Sequence, residues 1–185
     1  MVQHHSEFVH YNGERFRVYL TEEEIRKRVI ELGETLSRDF RGKDPIFIGV
    51  LNGAFVFLSD LIRALTIPCE IDFIKLSSYG DEKISSGQVT ELKGIDADLR
   101  DRHVILVEDI VDTGLSLEYL TGRLNGSGFA SLTTVTLLHK HEATKHEVLP
   151  DYVGFKLPNL FIIGYGLDFA QKGRNLPQIY IRDSG

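Results

Sequence analysis

The stretch Val104-Ile-Leu-Val-Glu108-Asp109-Ile-Val-Asp112-Thr113-Gly114-Leu115-Ser116-Leu117 constrains this chain more than any other. His103 to Val107 is rich in aliphatic residues without polar alternation, the pattern of a parallel strand covered on both faces. Asp112 to Ser116 then brings backbone N–H groups and hydroxyls to the start of a helix, where the dipole favours an anion. Glu108 and Asp109 lie just upstream. Facing a phosphate they would repel it, so the pair suits hydroxyl groups or a divalent cation. A phosphorylated, hydroxyl-rich, metal-associated ligand follows, and a sugar phosphate fits. A capped helix with Asp112 or Thr113 as N-cap would account for Asp112 to Gly114. It leaves the two acids at the end of an apolar strand unexplained.

Around this segment, strands and helices alternate. Thr21-Glu-Glu-Glu24 is a capping box, and Ile25, Val29, Ile30, Leu32 and Leu36 recur at helical spacing behind it. Ile46 to Leu51 reads as a strand, Ala54 to Leu65 as a helix and Cys69 to Leu76 as a second strand. Leu115 to Leu124 reads as a helix closed by Asn125-Gly126, and Leu132 to Leu138 as a further strand. This order predicts an α/β fold, a mostly parallel central sheet with helices on both faces. After Pro150 the pattern shifts to short strands at Tyr152–Phe155, Phe161–Ile163 and Gln178–Ile181. These either extend the sheet edge or form a small cap with the N-terminal segment. One domain over residues 1–185 is expected, with a core at about 40–165 and a cap from about 1–20 and 165–185. Ser77 to Arg100 is polar, with apolar residues too sparse for a buried element. It is either a disordered insertion or a lid, and it leaves the carboxyl end of a parallel strand, where open sheets bind ligands.

Composition excludes several classes of function. The chain has 185 residues, a net charge of −6 and no Lys/Arg block, so nucleic acid is not an expected partner. No run approaches the roughly 20 apolar residues of a membrane span. A single cysteine, Cys69, rules out an internal disulfide and fits a reducing compartment, so a cytoplasmic protein is expected. His139, His141 and His146 lack a partner set for a metal and read as solvated loop histidines.

Several other residues fall at positions a ligand can use. Leu51-Asn52-Gly53-Ala54 is a strand-to-helix turn whose N–H groups can face an anion. Lys140 follows a strand and stands at the same sheet edge as the acid pair, where a cation can read a carbonyl oxygen. Phe161-Ile162 opens a strand ahead of the turn Gly164-Tyr165-Gly166-Leu167-Asp168, and Arg174 lies in the polar loop beyond.

The Val104–Leu117 segment resembles the phosphoribosyl-diphosphate (PRPP) signature of type I phosphoribosyltransferases. From about Phe16 to Ile181 the chain resembles the 6-oxopurine branch of that family, the hypoxanthine–guanine phosphoribosyltransferases. The resemblance implies Mg²⁺-dependent transfer of a 5-phosphoribosyl group from PRPP to N9 of hypoxanthine or guanine, giving IMP or GMP and pyrophosphate, in a homo-oligomer (dimer or tetramer). It implies that Glu108 and Asp109 hold the ribose hydroxyls and the metal, and that Asp112 acts as general base or proton relay at purine N7. Thr113, Gly114, Leu115 and Ser116 would cradle the 5′-phosphate, with Leu115 where some relatives carry lysine. The turn of Leu51, Asn52 and Gly53 would bind pyrophosphate with Arg174. In the family this turn often contains a cis peptide bond, and Asn52 stands where several relatives have lysine. Lys140 would contact purine O6, Phe161 would stack on the base and the Ile162 backbone would bond its edge. Asp168, at the rim of the purine site, would contact Mg²⁺, and Ser78-Tyr79 would close a lid. Two alternatives stay open: a regulatory relative of the same fold that binds RNA or DNA, and an enzyme acting on xanthine, orotate, uracil or adenine.

Overall fold

The computed structural model describes residues 6–78, 89–145 and 149–183, with 77, 78, 89 and 90 described by backbone alone. The chain runs β1 (Phe8–Tyr11), β2 (Glu14–Leu20), α1 (Glu22–Asp39), β3 (Ile46–Leu51), α2 (Phe55–Ala64), β4 (Glu70–Ser78) and β5 (Val89–Lys93). It continues with β6 (His103–Val111), α3 (Leu115–Leu124), β7 (Ser131–Lys140), β8 (Tyr152–Leu157), β9 (Ile162–Ile163) and β10 (Ile179–Arg182). Six strands form the central sheet in the order β5-β4-β3-β6-β7-β8. All neighbours pair in parallel except β4 and β5. The expected α/β architecture is present.

Alternation along the strands divides the core. Phe47, Ile105 and Val107 face one layer with Val29, Leu32 and Leu36 of α1 and Phe57, Leu58 and Leu61 of α2. Ile46, Ile48, Val104 and Leu106 face the other, with Leu117, Leu120 and Leu124 of α3. Buried on both faces, these strands need no polar positions, which is why they read as continuous apolar runs. The capping box of α1 forms as expected: Thr21 Oγ1 accepts the Glu24 N–H at 3.3 Å, and the Thr21 N–H donates to Glu24 Oε2 at 2.9 Å.

Both fates foreseen for the C-terminal strands occur. β8 extends the edge of the central sheet, whereas β9 and β10 join β1 and β2 in a cap sheet ordered β1-β2-β10-β9. That cap has its own small core of Val9, Phe16, Ile163, Leu176 and Tyr180.

Four details differ from the expectation. β6 extends beyond Val107 to Val111, because its ladder to β7 continues through Ile110↔Leu138 and Val111↔His139. Glu108 and Asp109 therefore sit inside a strand. The N-cap of α3 is Gly114, at φ +89°, with no side-chain cap bond, so neither Asp112 nor Thr113 caps this helix. Within the 77–100 segment, Val89–Lys93 forms an edge strand whose backbone pairing with β4 compensates for its sparse apolar residues. His139 is no solvated loop residue: it is buried in β7, and desolvation holds its imidazole below the usual range, followed by the charges of His141 and Lys156. His141 is exposed as expected. Tyr79 and His146 lie outside the described residues.

Candidate active site

The parallel strands β3, β6 and β7 end at one edge, where open α/β sheets leave room for a ligand. A cleft of about 300 Å³ opens there, lined by Leu51, Gly53, Glu108, Asp109 and the whole turn from Asp112 to Ser116. The acids and the small-residue turn thus converge. A larger groove of about 660 Å³ between α1, α2 and residues 174–177 contains neither the acid pair nor the turn.

The two acids are held in unlike ways. Glu108 is 5% exposed, and its Oε1 has no hydrogen-bond partner. Burial pushes its carboxyl well above the usual range, with the charge of Asp109 adding to the effect. Asp109 is pushed up to about 6, chiefly by burial, opposed by backbone N–H groups and Arg174 and reinforced by Asp168. A buried oxygen with no donor costs free energy unless a hydroxyl or cation reaches it. Gly53 is required beside this pair, because a Cβ there would lie 1.8 Å from Asp109 Oδ2. The peptide bond Leu51–Asn52 in the same turn is cis.

The turn after β6 directs N–H groups outward. With Gly114 as N-cap the first turn of α3 keeps its dipole for an anion, and only the Leu115 N–H has a long side-chain contact, 3.4 Å to Thr113 Oγ1. Beside it, Lys140, 8% exposed at the end of β7, places Nζ 2.6 Å from Asp112 Oδ2. A hydrogen-bonded cation and carboxylate at one rim can together read an acceptor and a donor on a planar heterocycle.

From the other side the cap reaches the cleft through residues 164–174. Gly166 approaches so closely that a Cβ would lie 2.2 Å from the Gly53 carbonyl oxygen. Arg174 fastens this loop, donating from Nη1 to the Gly166 carbonyl at 2.7 Å and pairing with Asp168 Oδ1 at 2.5 Å. Asp168 Oδ2 accepts the Gln171 N–H at 2.8 Å, so both its oxygens are engaged within the loop. Phe161 is 40% exposed and leans edge-on against Phe169 of the same loop, centroids 5.2 Å apart. Ile162 is buried in the cap sheet. Ser78 ends β4, and Tyr79, its expected lid partner, lies outside the described residues.

Residues 18–170 match the model of the phosphoribosyl transferase domain. The chain belongs to the phosphoribosyltransferase family. It is 42% identical over 163 residues to the hypoxanthine-guanine phosphoribosyltransferase of Bacillus subtilis, covering 88% of this chain and 91% of the relative. The corresponding protein of Mycobacterium tuberculosis is 43% identical over 175 residues, 91% of this chain and 87% of its own. A crystal structure of a hypoxanthine-guanine phosphoribosyltransferase from Bacillus anthracis superposes with a TM-score of 0.84 at 43% identity, covering 89% of this chain and 96% of that one. The phosphoribosyltransferase fold therefore spans nearly the full chain.

Sequence reasoning missed two neighbours of this site. Thr144 donates to the Asp112 carbonyl at 2.9 Å, and Arg182 stacks over the Phe161 ring with its guanidinium carbon 4.3 Å from the centroid. Neither belongs to a motif. Both contacts depend on how β7 and β10 are placed, which no local pattern encodes.

Proposed function

We propose that this phosphoribosyltransferase transfers a 5-phosphoribosyl group from PRPP to N9 of hypoxanthine or guanine, releasing pyrophosphate and giving IMP or GMP. The observation that carries this reading is the single cleft at the strand ends. It joins a buried and a half-buried acid to an anion-ready helix start, with a lysine–aspartate pair at its rim.

Each group has a task in that reaction. The N–H groups of Thr113, Gly114, Leu115 and Ser116, with the Thr113 and Ser116 hydroxyls, hold the 5′-phosphate as neutral donors. Glu108 and Asp109 accept from the ribose 2′- and 3′-hydroxyls, which answers the donorless Oε1. Lys140 donates to purine O6, and Asp112 takes the proton from N7 as N9 bonds to ribose C1 and the C1–O bond to pyrophosphate breaks. Phe161 stacks on the base, and the Ile162 backbone bonds its edge. Pyrophosphate leaves past the backbone donors of Leu51, Asn52 and Gly53. Arg174 and Asp168, bonded to each other, hold the cap loop against that turn.

Magnesium fits these residues. Glu108 and Asp109 offer hard carboxylate oxygens, and among the described residues no cluster of three or more His, Cys, Asp or Glu side chains forms a cage of its own. Mg²⁺ characteristically takes one or two carboxylates together with substrate phosphates, an arrangement that needs no cage. Glu108 and Asp109, with Asp168 nearby, would hold Mg²⁺, which would supply charge neutralisation for the departing pyrophosphate.

PRPP-dependent turnover compared across hypoxanthine, guanine, xanthine and adenine tests the reading. Fast use of hypoxanthine or guanine with slow use of adenine is expected. Equal use of adenine would overturn the role of Lys140, and no turnover of any 6-oxopurine would overturn the function.

A further inference from the structure

The turn after β7 carries a side chain outside every family motif recognised in the sequence. Thr144 Oγ1 lies 2.9 Å from the Asp112 carbonyl, 3.1 Å from the Lys140 carbonyl and 3.1 Å from His139 Nε2. A hydroxyl has one proton to donate and lone pairs to accept with. Donation to the Asp112 carbonyl, its shortest contact, leaves the hydroxyl to accept from the His139 Nε2–H tautomer. His139 is buried and its ionisation is disfavoured, so a neutral imidazole makes that bond. One residue further on, the Lys145 N–H donates to the Thr113 carbonyl at 3.0 Å. Two successive residues of this turn are thus bonded to two successive residues of the segment after β6.

We infer that Thr144 is a positioning residue for purine recognition: its hydroxyl sets the spacing between Asp112 and Lys140. The inference rests on the purine reading proposed above. A purine presents O6 and N7 on one edge at a fixed separation, so the lysine and the aspartate must be held at a matching separation. Asp112 follows β6 and Lys140 ends β7, 28 positions apart in sequence. Pairing of β6 with β7 ends at Val111↔His139, one residue short of both. Beyond the ladder, the Thr144 bond continues the connection between the segments, where sheet hydrogen bonding no longer does. Small misplacements of groups that orient a substrate cost disproportionate rate.

The test compares Thr144→Val, which keeps shape and removes the hydroxyl, with Thr144→Ser, which keeps the hydroxyl. Steady-state kinetics are measured for hypoxanthine and for PRPP separately. Thr144→Val should raise KM for hypoxanthine about tenfold and lower the preference for hypoxanthine over adenine. KM for PRPP should be unchanged, because the Lys145 N–H still holds Thr113. Thr144→Ser should behave as wild type. A fold defect would instead reduce the active fraction, lowering apparent kcat with both KM values intact. The inference is overturned if Thr144→Val keeps the wild-type KM and preference, or if Thr144→Ser fails as badly as Thr144→Val. Wild-type protein that turns over no 6-oxopurine would end the parent reading and this inference with it, whereas an active wild type with an unaffected valine variant would end the inference alone.

Discussion

Lys140 Nζ and Asp112 Oδ2 form a 2.6 Å ion pair between the end of β7 and the segment that follows β6. The lysine is largely enclosed while the carboxylate is nearly half exposed, so the pair presents its acidic side to the cleft. The proposed reader of the base and the proposed acceptor of its proton are thus one hydrogen-bonded unit. A purine entering the site must trade this bond for two of its own.

Asp112→Asn keeps the shape and a hydrogen bond to Lys140 but removes the basic oxygen. General-base contributions are typically of the order of 10²–10⁴-fold in rate. A loss of kcat in that range is expected, with KM for PRPP little changed, measured by steady-state turnover of hypoxanthine. Near wild-type kcat would remove Asp112 from proton transfer.

Lys140→Met removes the donor that the 6-oxo group would meet. An unpaired buried polar group costs about 1–3 kcal/mol, so the preference for hypoxanthine over adenine should fall roughly five- to 150-fold. Comparison of kcat/KM for the two bases measures this. The melting temperature should shift little, because Asp112 remains close enough to water to be solvated.

The central sheet was legible in the sequence because its strands are buried on both faces. Ile46–Leu51 and Leu115–Leu124 were read with the boundaries the structure shows. Glu108 and Asp109 stood out because acids are costly in an apolar run, and burial is what raises their pKa values. The less legible parts depend on partners distant in sequence. β5 exists through backbone bonds to β4 and buries little of Leu92. His139 looked like a loop residue until β8 was seen to pair along β7 as far as Lys140↔Leu157. Gly114 is the N-cap of α3 through its positive φ, a backbone role that no side-chain pattern marks.

The acid pair also predicts a pH dependence of stability. Asp109 is raised from 3.8 to about 6, and Glu108 is raised as well. A raised carboxyl binds its proton more tightly in the folded state, so unfolding releases protons. Stability attributable to a protonated Asp109 is full below about pH 4 and declines as pH rises through about 6, and the raised Glu108 carboxyl acts in the same direction. For Asp109 the decline is on the order of 2–3 kcal/mol by neutral pH. Glu108→Gln should therefore melt higher than wild type at pH 7 and not at pH 4. It should also lose much of the melting-temperature gain that PRPP with Mg²⁺ gives wild type. Thermal melts at the two pH values, with and without PRPP and Mg²⁺, check both statements. A variant that melts lower at pH 7 would refute the charge argument.

One face of Phe161 is covered by a cation. Arg182 lies over that ring, pairs with Glu14 of β2 and donates its backbone N–H to the Phe161 carbonyl at 3.0 Å. The guanidinium therefore backs the ring, which Phe16 and Phe169 meet at centroid distances of 6.1 and 5.2 Å and which stays 40% exposed. Cation–π contacts are worth about 0.5–2 kcal/mol, so Arg182→Met should raise KM for hypoxanthine roughly three- to thirty-fold. Arg182→Lys retains a cation and should recover part of that loss. KM for PRPP should not move, because the residues proposed to hold its ribose and 5′-phosphate lie on β6 and the turn after it, away from Arg182. Glu14→Gln loosens the anchor but leaves the ring contact, and should have a smaller effect than Arg182→Met. Equal increases in KM for both substrates would show that Arg182 supports the cap as a whole rather than the aromatic platform.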